Sequence, residues 1–249
     1  MAGLEPSSAQ LAMQSAEVSA LAVAAHEWRL PVEGALATLL PEGGIRRGTA
    51  VAVDGHGSMT LAMALAAEAS RRGSWVAAVG MADLGVAALA ERGVDLDRWA
   101  LVDLPGAART GSLAADVLGA VVGGFDLVLL GPEIRVAGAT ARRLLARMRE
   151  HGTSLVCVLG GTSADITAGL VPEARLTVTQ TQWTGIDDGH GRLLARRAEV
   201  TVGGRGAASR PRRLLMWLPS TDGRVACAEP VKDSALGDGH EDVTERRAS

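Results

Sequence analysis

The chain of 249 residues has no tyrosine, one phenylalanine and five tryptophans. With so few rings, recognition of single-stranded bases by stacking has little to work with. There are two cysteines, Cys157 and Cys227, too few for a disulfide framework. Cys157 lies in the apolar run "SLVCVL" and reads as a small buried hydrophobe. No apolar run reaches 18 residues without a charge, which argues against a spanning helix. The opening "MAGLEPSSAQ" has no basic segment followed by an apolar core, so no secretory signal is expected. A reducing cytoplasm is the expected compartment. Lysine is almost missing as well: Lys232 stands alone among 25 Lys and Arg residues. With so much Ala and Gly, that bias points to a GC-rich genome rather than to selection for phosphate binding. Each arginine therefore counts for less as a functional signal. The five histidines, at 26, 56, 151, 190 and 240, show neither metal-ligand spacing nor a Ser/His/Asp arrangement. No metal and no cofactor is expected.

What is present suits a buried core. Hydrophobic residues make up 47% of the chain, and the length is enough for one large domain with appendages. "SSAQLAMQSAEVSALAVAAHEWRL" opens on a serine cap and spaces Leu11, Val18, Leu21 and Trp28 in near-helical fashion. This predicts a helix over residues 7 to 28, stopped before Pro31. From residue 49 short apolar strands alternate with helices of about ten or more residues. "TAVAVD", "SWVAAVG", "RWALVD", "FDLVLLG" and "TSLVCVLGG" are the strands. Strands apolar throughout and separated by helices indicate a mainly parallel sheet with helices on both faces. Direct parallel pairing is expected between the strands at 49–54 and 126–130.

The rhythm changes after residue 170. "ARLTVTQTQW" and "RLLARRAEVTV" flank "TGIDDGHG", whose Asp188-Gly189 is a hairpin signal, and "RRLLMWLP" adds a third strand. These form an antiparallel C-terminal extension on the sheet edge. The expected organisation is an N-terminal helix in residues 1–30, an α/β core in 31–219 and a polar, period-free, disordered tail in 220–249.

The stretch "VAVDGHGSMTLAMALAAEA", residues 51–69, reads as a strand, a glycine turn and a helix. That is how a phosphate-binding loop is introduced. A working loop, G-x-x-x-x-G-K-[ST], wraps phosphates with backbone N–H groups, neutralises them with lysine and holds Mg²⁺ with a hydroxyl. If Gly57 is the second glycine, Ser58 replaces the lysine and Met59 the hydroxyl, with Thr60 one place too late. Only His56 separates Gly55 from Gly57, so the loop is three residues short. Two lost contacts worth about 1.5–3 kcal/mol each weaken binding by roughly three decades. The strand "FDLVLLG" ends in Leu130, Gly131 and Pro132 where a magnesium carboxylate would stand, and Asp126 sits at its other end. Asp83 could act as a base near the switch point, but capping of the helix that begins at Leu84 is the expected role.

Residues 192–213 carry Arg192, Arg196, Arg197, Arg205, Arg210, Arg212 and Arg213 against Glu199 alone. They could contact a phosphate backbone or a partner. Arginines alternating along an edge hairpin are more often its solvated face, which is the expectation here.

The segments "LLPEGGIRRGTAVAVDG" and "LAMALAAEASRRGSWVAAVGMADLGVAALAERGVDLDRWALV" resemble the core of bacterial RecA. Gly43, Gly44 and Gly48 match its Gly-Gly-x-x-x-Gly segment, and residues 93 to 97 match its Gly-Val-Asp-hydrophobic-Asp stretch. The catalytic glutamate of that family falls at Ala82, or at Asp83 with a one-residue slip, so its functional residues are not carried over. The same substitutions, with the ending "TQWTGIDDGHGRLLARRAEVTVGGRGAASRPRRLLMWLP", resemble the ImuA-prime family over roughly residues 30 to 219. These are actinobacterial RecA-like members of the damage-inducible mutagenesis cassette. The resemblance implies a RecA-like fold and a non-enzymatic adaptor in translesion synthesis. Its expected partners are a Y-family polymerase homologue and an error-prone polymerase, or RecA itself. The alternative is an active RecA-type, DNA-dependent ATPase acting in repair.

Overall fold

The computed structural model describes residues 28–136, 138–160, 170–187 and 190–229. The helix expected over residues 7 to 28 lies, but for Trp28, outside the described residues. In chain order the elements are β1 (Arg29–Pro31), α1 (Gly34–Leu39), β2 (Gly44–Arg46), β3 (Ala50–Gly55), α2 (Ser58–Arg71) and β4 (Val76–Val79). Next come α3 (Val86–Glu91), β5 (Trp99–Val102), α4 (Ser112–Gly124), β6 (Leu127–Leu130), α5 (Gly138–His151) and β7 (Ser154–Val158). The chain continues with β8 (Ala174–Asp187), β9 (His190–Gly204), β10 (Arg212–Trp217) and β11 (Ala226–Cys227).

Nine strands form one mixed sheet in the order β11-β10-β9-β8-β3-β7-β6-β4-β5. From β8 to β5 every pairing is parallel, and from β8 to β11 every pairing is antiparallel. Strand β8 is thus the seam between a parallel half and an antiparallel half. The expected direct pairing of 49–54 with 126–130 is not found, because β7 lies between β3 and β6. Both β6 and β7 are buried along their whole length, so apolarity alone cannot rank them. The single crossover helix α5 makes β6 and β7 neighbours. A second correction falls in the segment expected to be disordered. Residues 226–227 pair with Met216 and Trp217 as an edge strand, and the Ala228 N–H donates to the Leu215 carbonyl at 3.0 Å. The apolar run Val225–Ala228 is too short to show a period but enough to extend an edge.

Two apolar clusters sandwich the parallel half. On one face Leu61–Ala69 of α2 meet Val51, Val53, Val76 and Leu127 of the sheet. Leu30, Leu36, Leu39, Leu40 and Ile45 join the same cluster, so β1, α1 and β2 fold over the outer side of α2. That is why α2 is buried nearly all round and is built from alanine and leucine. On the other face α4 and α5 set Leu118, Val122, Leu144 and Met148 against Ala52, Val128, Leu155 and Cys157. Cys157 is buried as expected, and burial pushes its thiol up to about 12. Among the described residues the antiparallel half is covered on one face only: Ala198, Val200, Val202 and Met216 belong to the α2-side cluster. No helix of the described residues is long and apolar enough to cross a membrane.

Candidate functional site

The turn between β3 and α2 stands where a phosphate-binding loop would. Strand β3 ends at Gly55 and α2 begins at Ser58, leaving His56 and Gly57 between them. Both glycines need a left-handed backbone, with φ of 87° at Gly55 and 96° at Gly57. At Gly55 an added Cβ would overlap the Val178 carbonyl oxygen of β8. Gly57 is the N-cap of α2 and offers no side-chain cap; its carbonyl receives the Leu61 N–H at 3.0 Å. Ser58, Met59 and Thr60 are half-buried in the first turn.

The space over Gly57 belongs to Arg196. A Cβ added to Gly57 would overlap the Arg196 guanidinium, which therefore lies in contact with the turn backbone. The residue is only 7% exposed, and its Nε donates to the Leu218 carbonyl at 2.7 Å. Its guanidinium carbon lies 5.3 Å from the centroid of the Trp183 ring, inside cation–π range. Burial, and secondarily the charge of Arg92, lower its pKa, and its Nη2 has no hydrogen-bond partner among the described residues. A positive group at a helix N-terminus opposes the helix dipole. The Trp183 face and the Leu218 carbonyl compensate for that placement.

Arg196 is a correction to the expectation that the seven arginines share a solvated face or an open contact surface; the other six are exposed or half-buried. Arg196 is buried because it has the same strand parity as Ala198, Val200 and Val202, which face the core. Of the others, Arg197 donates through Nη2 to the Glu229 carbonyl at 3.0 Å. Arg205 donates to the Val171 carbonyl at 3.1 Å, and Arg212 to that of Leu40 at 3.4 Å. Arg213 stands 3.7 Å from Glu199, and Arg192 and Arg210 are exposed.

Two of the remaining positions hold the fold together. Gly131, after β6, packs so closely that a Cβ would overlap the Gly80 carbonyl. Asp126, at the other end of β6, accepts the Trp75 N–H at 2.9 Å and an Arg47 N–H at 2.8 Å, which ties β6 to its neighbours. Asp83 is exposed, and it does not cap α3 as expected. The N-cap is Gly85, without a side-chain cap bond, because the chain makes a further turn around the buried Leu84 before the helix starts. Among the described residues no three His, Cys, Asp or Glu side chains gather as metal ligands.

Reading the sequence missed one polar cluster. Glu33, 5% exposed, accepts two bonds from Arg71 through Oε1 and the Val225 N–H through Oε2 at 2.8 Å. Arg92, 2% exposed, lies 3.8 Å from the same carboxylate, and its pKa is lowered mainly by burial. These residues pin α1, α2, α3 and the 220–225 turn together. No local signal marks them, since each charge sits on a different element.

Comparison with known proteins agrees with this architecture. The chain is 34% identical over 105 residues to the uncharacterized protein Rv3395c of Mycobacterium tuberculosis, a stretch of 42% of this chain and 49% of that protein. The chain thus spans about half the length of the curated relative it matches. Among solved structures it is similar to the flagellar accessory protein FlaH from Methanocaldococcus jannaschii, with a TM-score of 0.57 and 10% identity. That likeness covers 82% of this chain and 99% of the other, and at such identity it shows the fold alone: RecA-like α/β. Residues 38–164, from the end of α1 past β7, match the family described as the MT3502 N-terminal domain, and the chain belongs to that family.

Proposed function

We propose that this protein is a non-catalytic RecA-like adaptor in DNA-damage-induced translesion synthesis, bridging a Y-family polymerase homologue and an error-prone polymerase. The observation that carries the non-catalytic part is the two-residue turn after β3 with the Arg196 guanidinium packed on Gly57. A nucleotide phosphate on the α2 N-terminus would have to displace that side chain. It would then meet Ser58 and Met59 where a phosphate loop supplies lysine and a magnesium-binding hydroxyl. The resemblance to the ImuA-prime family supports the pathway and the partners. A RecA fold without its chemistry retains rigid surfaces, which is what an adaptor needs. Isothermal titration of the full chain with Mg-ATP tests the reading. No binding is expected at micromolar nucleotide, in the unaltered chain and in Arg196→Ala alike, since removing the guanidinium restores neither lysine nor hydroxyl. A dissociation constant in the low micromolar range for the unaltered chain favours the alternative, an active RecA-type ATPase.

A further inference from the structure

The antiparallel half of the sheet has a face that no described helix covers. Arg175, Thr177, Arg197, Glu199, Thr201 and Arg213 stand on it, opposite in parity to the core-facing Leu176, Val178, Ala198, Val200 and Met216. An open hollow of about 500 Å³ is lined by Arg175, Thr177, Thr201 and Arg205. A second hollow of about 490 Å³ adjoins it between the end of α5 and the start of β8, and adds Arg149. The two share Val171 and Arg205. Among the described residues Arg149, Arg175, Arg197 and Arg205 have no carboxylate within ion-pair distance. Glu173 is the one acid among the described residues that line either hollow. The face therefore carries uncompensated positive charge in a protein whose formal net charge is −3.

The described chain ends on this face. The Arg197 guanidinium holds the Glu229 carbonyl at 3.0 Å. Strand β11 runs antiparallel to β10, so the chain leaves toward the Arg212 end of β10, the end at which Val202 and Gly203 line the first hollow. The sequence beyond Glu229 is acidic on balance: residues 230–249 hold Asp233, Asp238, Glu241, Asp242 and Glu245 against Lys232, Arg246 and Arg247, and the acids precede the two arginines. Crossing from β11 to β8 takes three strand spacings, about 14 Å. Sixteen residues can span up to roughly 53 Å, so the acids reach both hollows. We propose that residues 230–249 of this chain dock on the helix-free face of β8, β9 and β10, setting their carboxylates against Arg175, Arg205 and Arg149.

The test uses full-length protein and a fluorescent peptide of residues 230–249. In one variant the acids are neutralised in place (Asp233→Asn, Asp238→Asn, Glu241→Gln, Asp242→Asn and Glu245→Gln). This variant is expected to bind the peptide, more weakly as salt rises, and the unaltered chain at least tenfold less, because its own segment holds the site. Adding Arg175→Glu and Arg205→Glu to the neutralised chain abolishes the binding. Thr201→Glu, which puts a negative charge on the same face without removing an arginine, weakens it. Equal binding by both chains, or binding by neither, overturns the proposal. So does a 20-nucleotide single-stranded DNA whose binding to the neutralised chain is lost with Arg175→Glu and Arg205→Glu yet is not displaced by excess peptide, which would make the face a nucleic-acid surface.

Discussion

Arg196 and Gly57 explain each other. The glycine has a left-handed φ of 96° and no room for a Cβ, because the guanidinium rests on its Cα. Gly57→Ala is expected to lower stability by about 2 kcal/mol, from left-handed strain together with the clash. In Gly57→Ala with Arg196→Ala the clash is gone and only the strain remains, so the two substitutions couple and the double variant recovers part of the loss. Urea unfolding of the four chains of the cycle measures this; strictly additive losses would mean that the guanidinium does not rest on the turn. At this scale the sequence was half legible. The missing lysine and hydroxyl can be read directly at Ser58 and Met59. The burial of Arg196 was signalled by its parity with Ala198 and Val200, but its Gly57 contact joins distant stretches of the chain, which no spacing rule predicts.

Single elements were more legible than single contacts. Helix α2 ends as its sequence demands: Gly73 takes a left-handed φ of 93°, its N–H reaches the Ser70 carbonyl at 2.9 Å, and the Ser74 N–H reaches that of Ala69 at 3.0 Å. This double bond pattern satisfies carbonyls that the helix end would leave free. Glu68 reinforces the end by accepting bonds from Arg71 and Arg72, each at 2.7 Å. Burial raises its pKa, but those two partners outweigh burial and hold the carboxyl below its ordinary value of 4.5. A depressed folded pKa stabilises the protein at pH above the unfolded value, and that contribution is lost as pH falls through the folded one. Glu68→Gln is therefore expected to cost about 1 kcal/mol at neutral pH, and to flatten the loss of stability of the unaltered chain below pH 4.5. Thermal midpoints of both chains between about pH 3 and 7 provide the check, with a constant difference across that range as the contrary result. Short elements were less legible: α1, with six residues, and β1 and β2, with three each, are too brief to show a period.

At the scale of the whole molecule the adaptor reading makes a separate claim about contacts. If residues 7 to 28 form the helix expected from the sequence, Leu11, Val18 and Leu21 share a stripe that buries area against a partner at about 25 cal/mol per Å². Full-length protein is expected to capture the Y-family polymerase homologue, and Leu11→Asp with Val18→Asp and Leu21→Asp to lose that capture at an unchanged thermal midpoint. Mg-ATP should alter neither result. Undiminished capture by the triple variant would move the partner site onto the sheet or its helices.

The sequence by itself determined the class of the fold and the shortness of the turn after β3. Alternating apolar strands and glycine-ended helices are local patterns, as is a missing lysine. The change of rhythm near residue 170 likewise announced the antiparallel half, because hairpin chemistry at residues 188–189 is local. Only the tertiary structure decided that β7 separates β3 from β6, that Glu33 and Arg92 are buried together, that residues 226–227 close the edge, and that Arg196 fills the turn. Each of these depends on which distant segments become neighbours. Fully apolar strands do not encode their order, and a buried charge looks like a surface charge until its partner on another element is known.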